Sequence, residues 1–123
     1  MGSALSLAPG SVTPGLGALY VTNATRYYVG MIKTFANKET AAVFVNQRVR
    51  CFGADLQRAA RSKLAILNQA ARLDDLRVPP GNRLERLKGD RADQWSIRIN
   101  DQWRVCFHWH EGNAWDVEIK DYH

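Results

Sequence analysis

The run WDVEIKDYH places a carboxylate, a phenol and an imidazole, on Asp121, Tyr122 and His123, directly behind residues that alternate apolar and polar. Side chains of these types can take a proton, give one up and stack on a flat ring. The terminal carboxylate of His123 would lie beside its own imidazole and favour the protonated ring, which suits an acid better than a base. A plainer reading of the same three residues is a polar tail that only finishes a strand, and the residues alone favour it. His108 and His110 sit two apart, as a metal-binding pair would, but no third ligand follows at a suitable spacing, so no metal site is expected. Cys51 and Cys106 fit neither a disulfide framework nor a zinc site, and a reducing cytoplasm is the simplest setting for them. No basic partner is placed by sequence to lower the pKa of Cys106, which reads as a small buried or half-buried residue and not as a nucleophile.

Such groups act only if elements hold them. With 123 residues, 46% hydrophobic and 24% charged, the chain suits one soluble domain with a core of its own. It has no apolar run of about 18 residues, which excludes a transmembrane helix. A formal charge of +5 and a pI near 9.6 point to an anionic partner, nucleic acid first and an acidic protein second. Residues 1–30 contain one charge, Arg26, and are dense in Gly, Pro, Ser and Thr. They read as a flexible lead without the basic start and longer apolar run of a signal peptide. MIKTFANKET, from Met31, looks like a natural beginning, so the domain is expected over residues 31–123, with the lead as upstream or added sequence.

MIKTFA is a short strand candidate, and NKETAAVFVNQRVR can form a helix with Asn37 as N-cap and Ala41, Phe44 and Val45 inward. DLQRAARSKLAILNQAARL spaces Leu56, Ala60, Leu64, Leu67 and Ala71 helically, with Asp55 as the capping carboxylate and Arg58, Arg61, Lys63 and Arg72 on the wetter side. Pro79-Pro80 and Gly81 stop it. The period then changes to two. A short strand candidate, Arg83 to Lys88, precedes QWSIRIN, WRVCFHWH and AWDVEIK, separated by turns at Asn100-Asp101 and Glu111-Gly112-Asn113. The expectation is an α+β domain in which two N-terminal helices pack on one face of a mainly antiparallel, twisted sheet.

One sheet face would carry Trp95, Ile97, Ile99, Val105, Phe107, Trp109, Trp115, Val117 and Ile119 as core. The other, carrying Ser96, Arg98, Arg104, Cys106, His108, His110, Asp116, Glu118 and Lys120, would be left open. Trp95, Trp109 and Trp115 are thus assigned to packing, while Trp103 opens its strand at a turn and is not assigned. Arg98 and Arg104 have two readings, as solvated cross-strand partners of Asp116 and Glu118 or as cations for a bound anion. His108 and His110 are expected to be structural or to contact RNA.

The stretch RLERLKGDRADQWSIRINDQWRVCFHWHEGNAWDVEIKDYH resembles the C-terminal half of HigB-type toxins, in the RelE/ParE superfamily of type II toxin-antitoxin systems. The likeness lies in the strand order, the LKGDR turn, the NDQWRV hairpin and the terminal DYH, and it reaches back through PPGNRLE to MIKTF. It implies a RelE-like fold and a ribosome-dependent endoribonuclease that cuts mRNA in the ribosomal A site with no metal or cofactor. It also implies a HigA-type helix-turn-helix antitoxin, whose complex with the toxin would bind operator DNA. The family's active-site positions fall on Lys88, Arg104, Asp121, Tyr122 and His123, and Arg91, Arg98 and Lys120 are candidate RNA contacts. One position departs: Glu85 stands where members with a histidine three residues before that lysine use it for proton transfer. Glu85 can serve as a base if its pKa is raised, or can pair with Arg83 or Arg86, the commoner arrangement.

Elementary chemistry agrees with this assignment. Cleaving RNA without a metal needs a base for the 2′-OH, cations on the phosphate and an acid for the leaving oxygen. Lys88 and Arg104 would sit on the phosphate, His123 or Asp121 would move protons, and Tyr122 would stack on a base or donate its hydroxyl. The alternative is a non-catalytic basic module on the same fold that binds RNA or an acidic protein.

Overall fold

A computed structural model describes residues 30–91 and 93–122. The expected lead therefore lies, apart from Gly30, outside the described residues, as do Ala92 and His123. The apolar period of the second helical segment forms α2 (Ala54–Gln69), which buries Ala60, Leu64 and Leu67 completely. Its N-cap is Gly53, which offers no side-chain cap. Asp55 is not the expected cap; it lies in the first turn, 3.0 Å from Arg58, where its charge still suits the positive helix end. The helix stops earlier than its periodicity suggests because Asp75 Oδ2 collects the N–H groups of Ala71 and Arg72, each at 3.0 Å. The chain then turns into a 3-10 segment, Leu73–Arg77, that buries Leu76 in place of the expected Ala71.

The first helix is also shorter than expected. In α1 (Lys38–Phe44), Asn37 Oδ1 accepts from the Thr40 N–H at 2.9 Å, as its cap position requires. Beyond it Asn46 adopts a left-handed φ of 65°. The buried amide of Gln57 captures the next stretch, donating to the Gln47 carbonyl at 2.7 Å and accepting from the Val49 N–H at 3.0 Å. Hydrogen bonding to α2 thus replaces helix continuation. Val43 and Thr40 face inward, Ala41 and Phe44 are half-buried, and Val45 is exposed, contrary to its expected burial.

Four antiparallel strands follow in the order β1 (Glu85–Arg86), β2 (Trp95–Arg98), β3 (Trp103–His110) and β4 (Asn113–Asp121). Glu111 and Gly112 both have positive φ, 53° and 79°, so the loop before β4 is a two-residue one whose twist matches its strands. Asn113, expected in that turn, begins β4. Ile97, Val105, Phe107, Val117 and Ile119 meet Leu64, Leu67 and Val43 in the core, so the helices cover the apolar face as expected. MIKTFA makes isolated parallel bridges to β4, Ile32 with Ala114 and Phe35 with Val117, in place of a continuous strand.

The interruption coincides with a bulge. Cys106 faces Glu118 but His108 faces Trp115, so β4 carries an extra residue, and Asp116 absorbs it with φ of 53°. Ala114 enters the core while Trp115, expected there, turns outward. Trp95, Trp103 and Trp109 pack against the core, with Trp103 edge-on to Phe52 at 5.6 Å.

The opposite sheet face is not open as expected. Ser96 and Cys106 are fully buried and Arg104 is only 9% exposed, because long side chains of that face fold across their neighbours.

Candidate active site

Arg104 is the centre of this covered face. The register sets Arg104 between Arg98 and Lys120, and puts Glu85, Ser96, Cys106 and Glu118 in the adjacent row across all four strands. The Arg104 guanidinium reaches diagonally over Ser96, donating from Nε to Ser96 Oγ at 2.7 Å and from Nη2 to the Arg83 carbonyl at 2.6 Å. Glu85 Oε1 lies 3.9 Å from the same Nη2. The Tyr122 ring completes the surroundings, its centroid 5.9 Å from Arg104 Cζ. A planar cation held in this way by two fixed acceptors loses little further freedom on meeting a phosphate.

The carbonyl that Arg104 meets is itself fixed from beneath. Arg83 takes a left-handed φ of 47°. Before it, the fully buried Asn82 donates to the carbonyls of Leu76 and Val78 at 3.1 and 3.2 Å, and accepts from Lys63 Nζ at 2.6 Å. Lys63, expected on the wetter side of α2, is therefore a half-buried anchor. Burial, and then the charge of Arg98, holds its ammonium pKa below the usual lysine range.

Cys106 lies under the charged groups of the face. Burial pushes its thiol above the ordinary range, against Arg91, Arg104 and Lys120, which favour the thiolate, and together with Glu118, which opposes it. It is a buried residue beneath a convergence of cations and not an exposed nucleophile. Arg91 belongs to this convergence, with Nη2 3.4 Å from Glu118 Oε1.

Other expected residues are placed differently. Arg98 is paired with Asp101 of its own hairpin, not with Asp116 or Glu118. Arg104 pairs with Glu85 instead, because its side chain reaches across Ser96 of β2, the residue that Glu85 of β1 faces. Glu85 was expected to be either a base or a partner of Arg83 or Arg86. Lys88 is exposed in the turn after β1 and makes no hydrogen bond or ion pair with another described residue. Gly89, with φ of 68°, provides the left-handed step that this turn needs. Asp121 pairs in register with Trp103, on the face opposite Arg104 and Lys120, and its Oδ2 accepts from Gln102 Nε2 at 3.2 Å.

Sequence reasoning missed Ser96, Gln94 and Gln102 as partners of the charged groups. Alternation put Ser96 on the right face, but could not put its Oγ under a guanidinium. Among the described residues, no group of His, Cys, Asp and Glu is arranged to hold a metal ion.

Residues 33–123 match the model of a family described as the RelE-like toxin of the type II toxin-antitoxin system HigB. The chain is similar to Toxin HigB-1 of Vibrio cholerae serotype O1, 42% identical over 69 residues, which span 56% of this chain and 73% of the relative. It is also similar to Endoribonuclease HigB of Proteus vulgaris, 29% identical over 93 residues, which span 76% of this chain and the whole of the relative.

Proposed function

The chain belongs to the HigB-like toxin family of type II toxin-antitoxin systems, and from that membership we propose that it is an endoribonuclease cutting mRNA in the ribosomal A site without a metal, thereby inhibiting translation. The observation that carries the proposal is the Arg104 cluster: a cation held by Ser96 and the Arg83 carbonyl, with a carboxylate on one side and an aromatic ring on the other.

In this reaction Arg104 neutralises the scissile phosphate as charge builds on it, and Lys88 supplies a second cation from its turn. Glu85, half exposed beside Arg104, takes the proton of the 2′-OH as that oxygen attacks phosphorus. The P–O bond to the 5′ oxygen breaks, the leaving oxygen is protonated by an acid of the tail, and a 2′,3′-cyclic phosphate remains. His123 is the proposed acid, with Asp121 positioning the tail through Gln102. Tyr122 stacks on a base, and Arg91, Arg98 and Lys120 contact the RNA backbone.

A toxin of a type II system has an antitoxin partner; here we infer a HigA-type helix-turn-helix protein whose complex with the toxin binds operator DNA. Among the described residues no helix is long and apolar enough to cross a membrane. A ribosomal substrate assigns the protein to the cytoplasm. Residues 31–123 are the proposed toxin domain, residues 1–30 a lead.

The test is cleavage of programmed ribosome complexes by the full chain, with magnesium kept and transition metals chelated, beside free RNA of the same sequence. Rapid cutting on the ribosome, slow cutting of free RNA and indifference to the chelator are expected. Equal rates on both substrates would remove the ribosome from the mechanism, and binding without cutting would leave a non-catalytic module.

Lys88→Ala separates chemistry from stability. Its side chain is exposed, so the melting temperature should hold while cleavage falls by roughly 10²-fold or more, as expected for removing a cation from a phosphate that gains charge in the transition state. An unchanged cleavage rate would take Lys88 out of the site.

A further inference from the structure

Gln94, half-buried just before β2, has its amide between a guanidinium and an imidazole. Its Oε1 accepts from Arg91 Nε at 3.2 Å and from Arg91 Nη2 at 2.9 Å. Its Nε2 lies 3.3 Å from His108 Nε2 on β3. A guanidinium has only donors, so the amide oxygen has to face Arg91 and the amide –NH2 has to face His108. His108 Nε2 must then accept. That requires a neutral ring with its proton on Nδ1, the nitrogen 3.6 Å from Asp93 Oδ2.

We propose that His108 is a positioning residue that sets Arg91 in the RNA-binding face through Gln94, and that it does so only as the neutral Nδ1–H tautomer. The RNA side of this proposal rests on the reading of Arg91 given above; the positioning does not. Charged groups reach the ring from two elements. Asp93 approaches from the turn before β2, and Asp116 from the bulge of β4, with Oδ2 3.9 Å from His108 Nε2. Beyond Gln94 lies Arg91, whose other partner is Glu118. A doubly protonated ring would bring an N–H against the Gln94 –NH2, donor against donor. The ring would leave Gln94 for Asp116, or the amide would turn its oxygen to the ring and its –NH2 to Arg91; either way Arg91 loses the fixed acceptor that the neutral ring holds in place for it, and keeps Glu118 and the backbone bond from the Gln94 N–H at 2.9 Å.

Two substitutions separate this arrangement from simple packing. His108→Leu fills the site but accepts nothing. His108→Gln carries an amide oxygen able to replace Nε2 as acceptor, and it has no proton to gain. In His108→Leu the KM for ribosome-bound message should rise about tenfold with little change in kcat, the signature of a lost binding contact, and His108→Gln should restore it. Acidification should raise the KM of the wild type but not that of His108→Gln.

The decisive measurement is independent of cleavage: nitrogen-detected NMR of the full chain, following the His108 ring nitrogens and the Arg91 Nε–H signal. An unprotonated Nε2 in the wild type is expected, with an Arg91 signal that is protected there, lost in His108→Leu and recovered in His108→Gln. Protonated Nε2 at neutral pH, or an Arg91 signal indifferent to His108→Leu, would overturn the positioning role even if the protein cuts mRNA as proposed. If the protein cuts nothing, the same spectra still decide the positioning while the nuclease reading fails. A correct tautomer with an unchanged KM in His108→Leu would remove the link to RNA.

Discussion

Arg104→Ala should lose both cleavage and stability. Its guanidinium is nearly buried and supplies hydrogen bonds to Ser96 Oγ and to the Arg83 carbonyl, with Glu85 beside it. Truncation leaves these acceptors without their donor, at a cost of about 1–3 kcal/mol. For a domain of this size that corresponds to a fall in melting temperature of roughly 4–8 °C for each kcal/mol. Cleavage per folded molecule should drop by roughly 10²–10³-fold, because the cation is lost where charge develops. Arg104→Lys sharpens the test. An ammonium keeps the charge but cannot span Ser96, Arg83 and a phosphate at once, so it should regain some stability and little cleavage. Lower melting with cleavage per folded molecule unchanged would make Arg104 a structural residue only. Read as lying on an open face, Arg104 would have been expected to tolerate truncation without loss of stability; its burial reverses that expectation.

Removing Tyr122 and His123 should abolish growth arrest while the fold survives. The strand ladder of β4 ends at Asp121, and the Tyr122 N–H to the Gln102 carbonyl, at 2.6 Å, is a backbone bond just beyond it. Tyr122 is 40% exposed and its ring lies over Arg104, outside the hydrophobic core. The deletion therefore opens no core cavity, yet it removes the proposed acid and the stacking ring. Loss of general acid catalysis alone lowers rates by roughly 10²–10⁴-fold, enough to spare growing cells. The measurement is growth on induction, with soluble protein confirmed by gel and its fold by circular dichroism. Arrest undiminished by the deletion would exclude the tail from the chemistry and return Tyr122 to the plainer reading of a strand end.

What could be read along the chain was what repeats along it. The 3.6-residue period of Ala60, Leu64 and Leu67 fixed α2, and alternation through Ile97, Val105, Phe107 and Ile119 fixed the meander and its core face. Both signals are local, because helix and strand periods are properties of the backbone. The candidate residues, Lys88, Arg104 and the DYH tail, came from the resemblance carried by the order and spacing of short motifs; of these, Arg104 and Tyr122 meet, while Asp121 lies on the opposite face.

Their arrangement was not legible. Alternation says which face a residue shares, not how far a long side chain reaches across that face, so Ser96 and the Arg83 carbonyl could not be named as the acceptors of Arg104. Nor does it survive an inserted residue: the bulge at Asp116 moved Trp115 outward, and nothing in AWDVEIK marks that position. The end of α1 depended on Gln57, eight to ten positions beyond the residues it binds, offering better hydrogen bonds than another helical turn. The pairing of Glu85 with Arg104 depended on two strand registers at once. Each of these outcomes is set by distances between segments remote in sequence, and such distances exist only once the sheet and helices have packed.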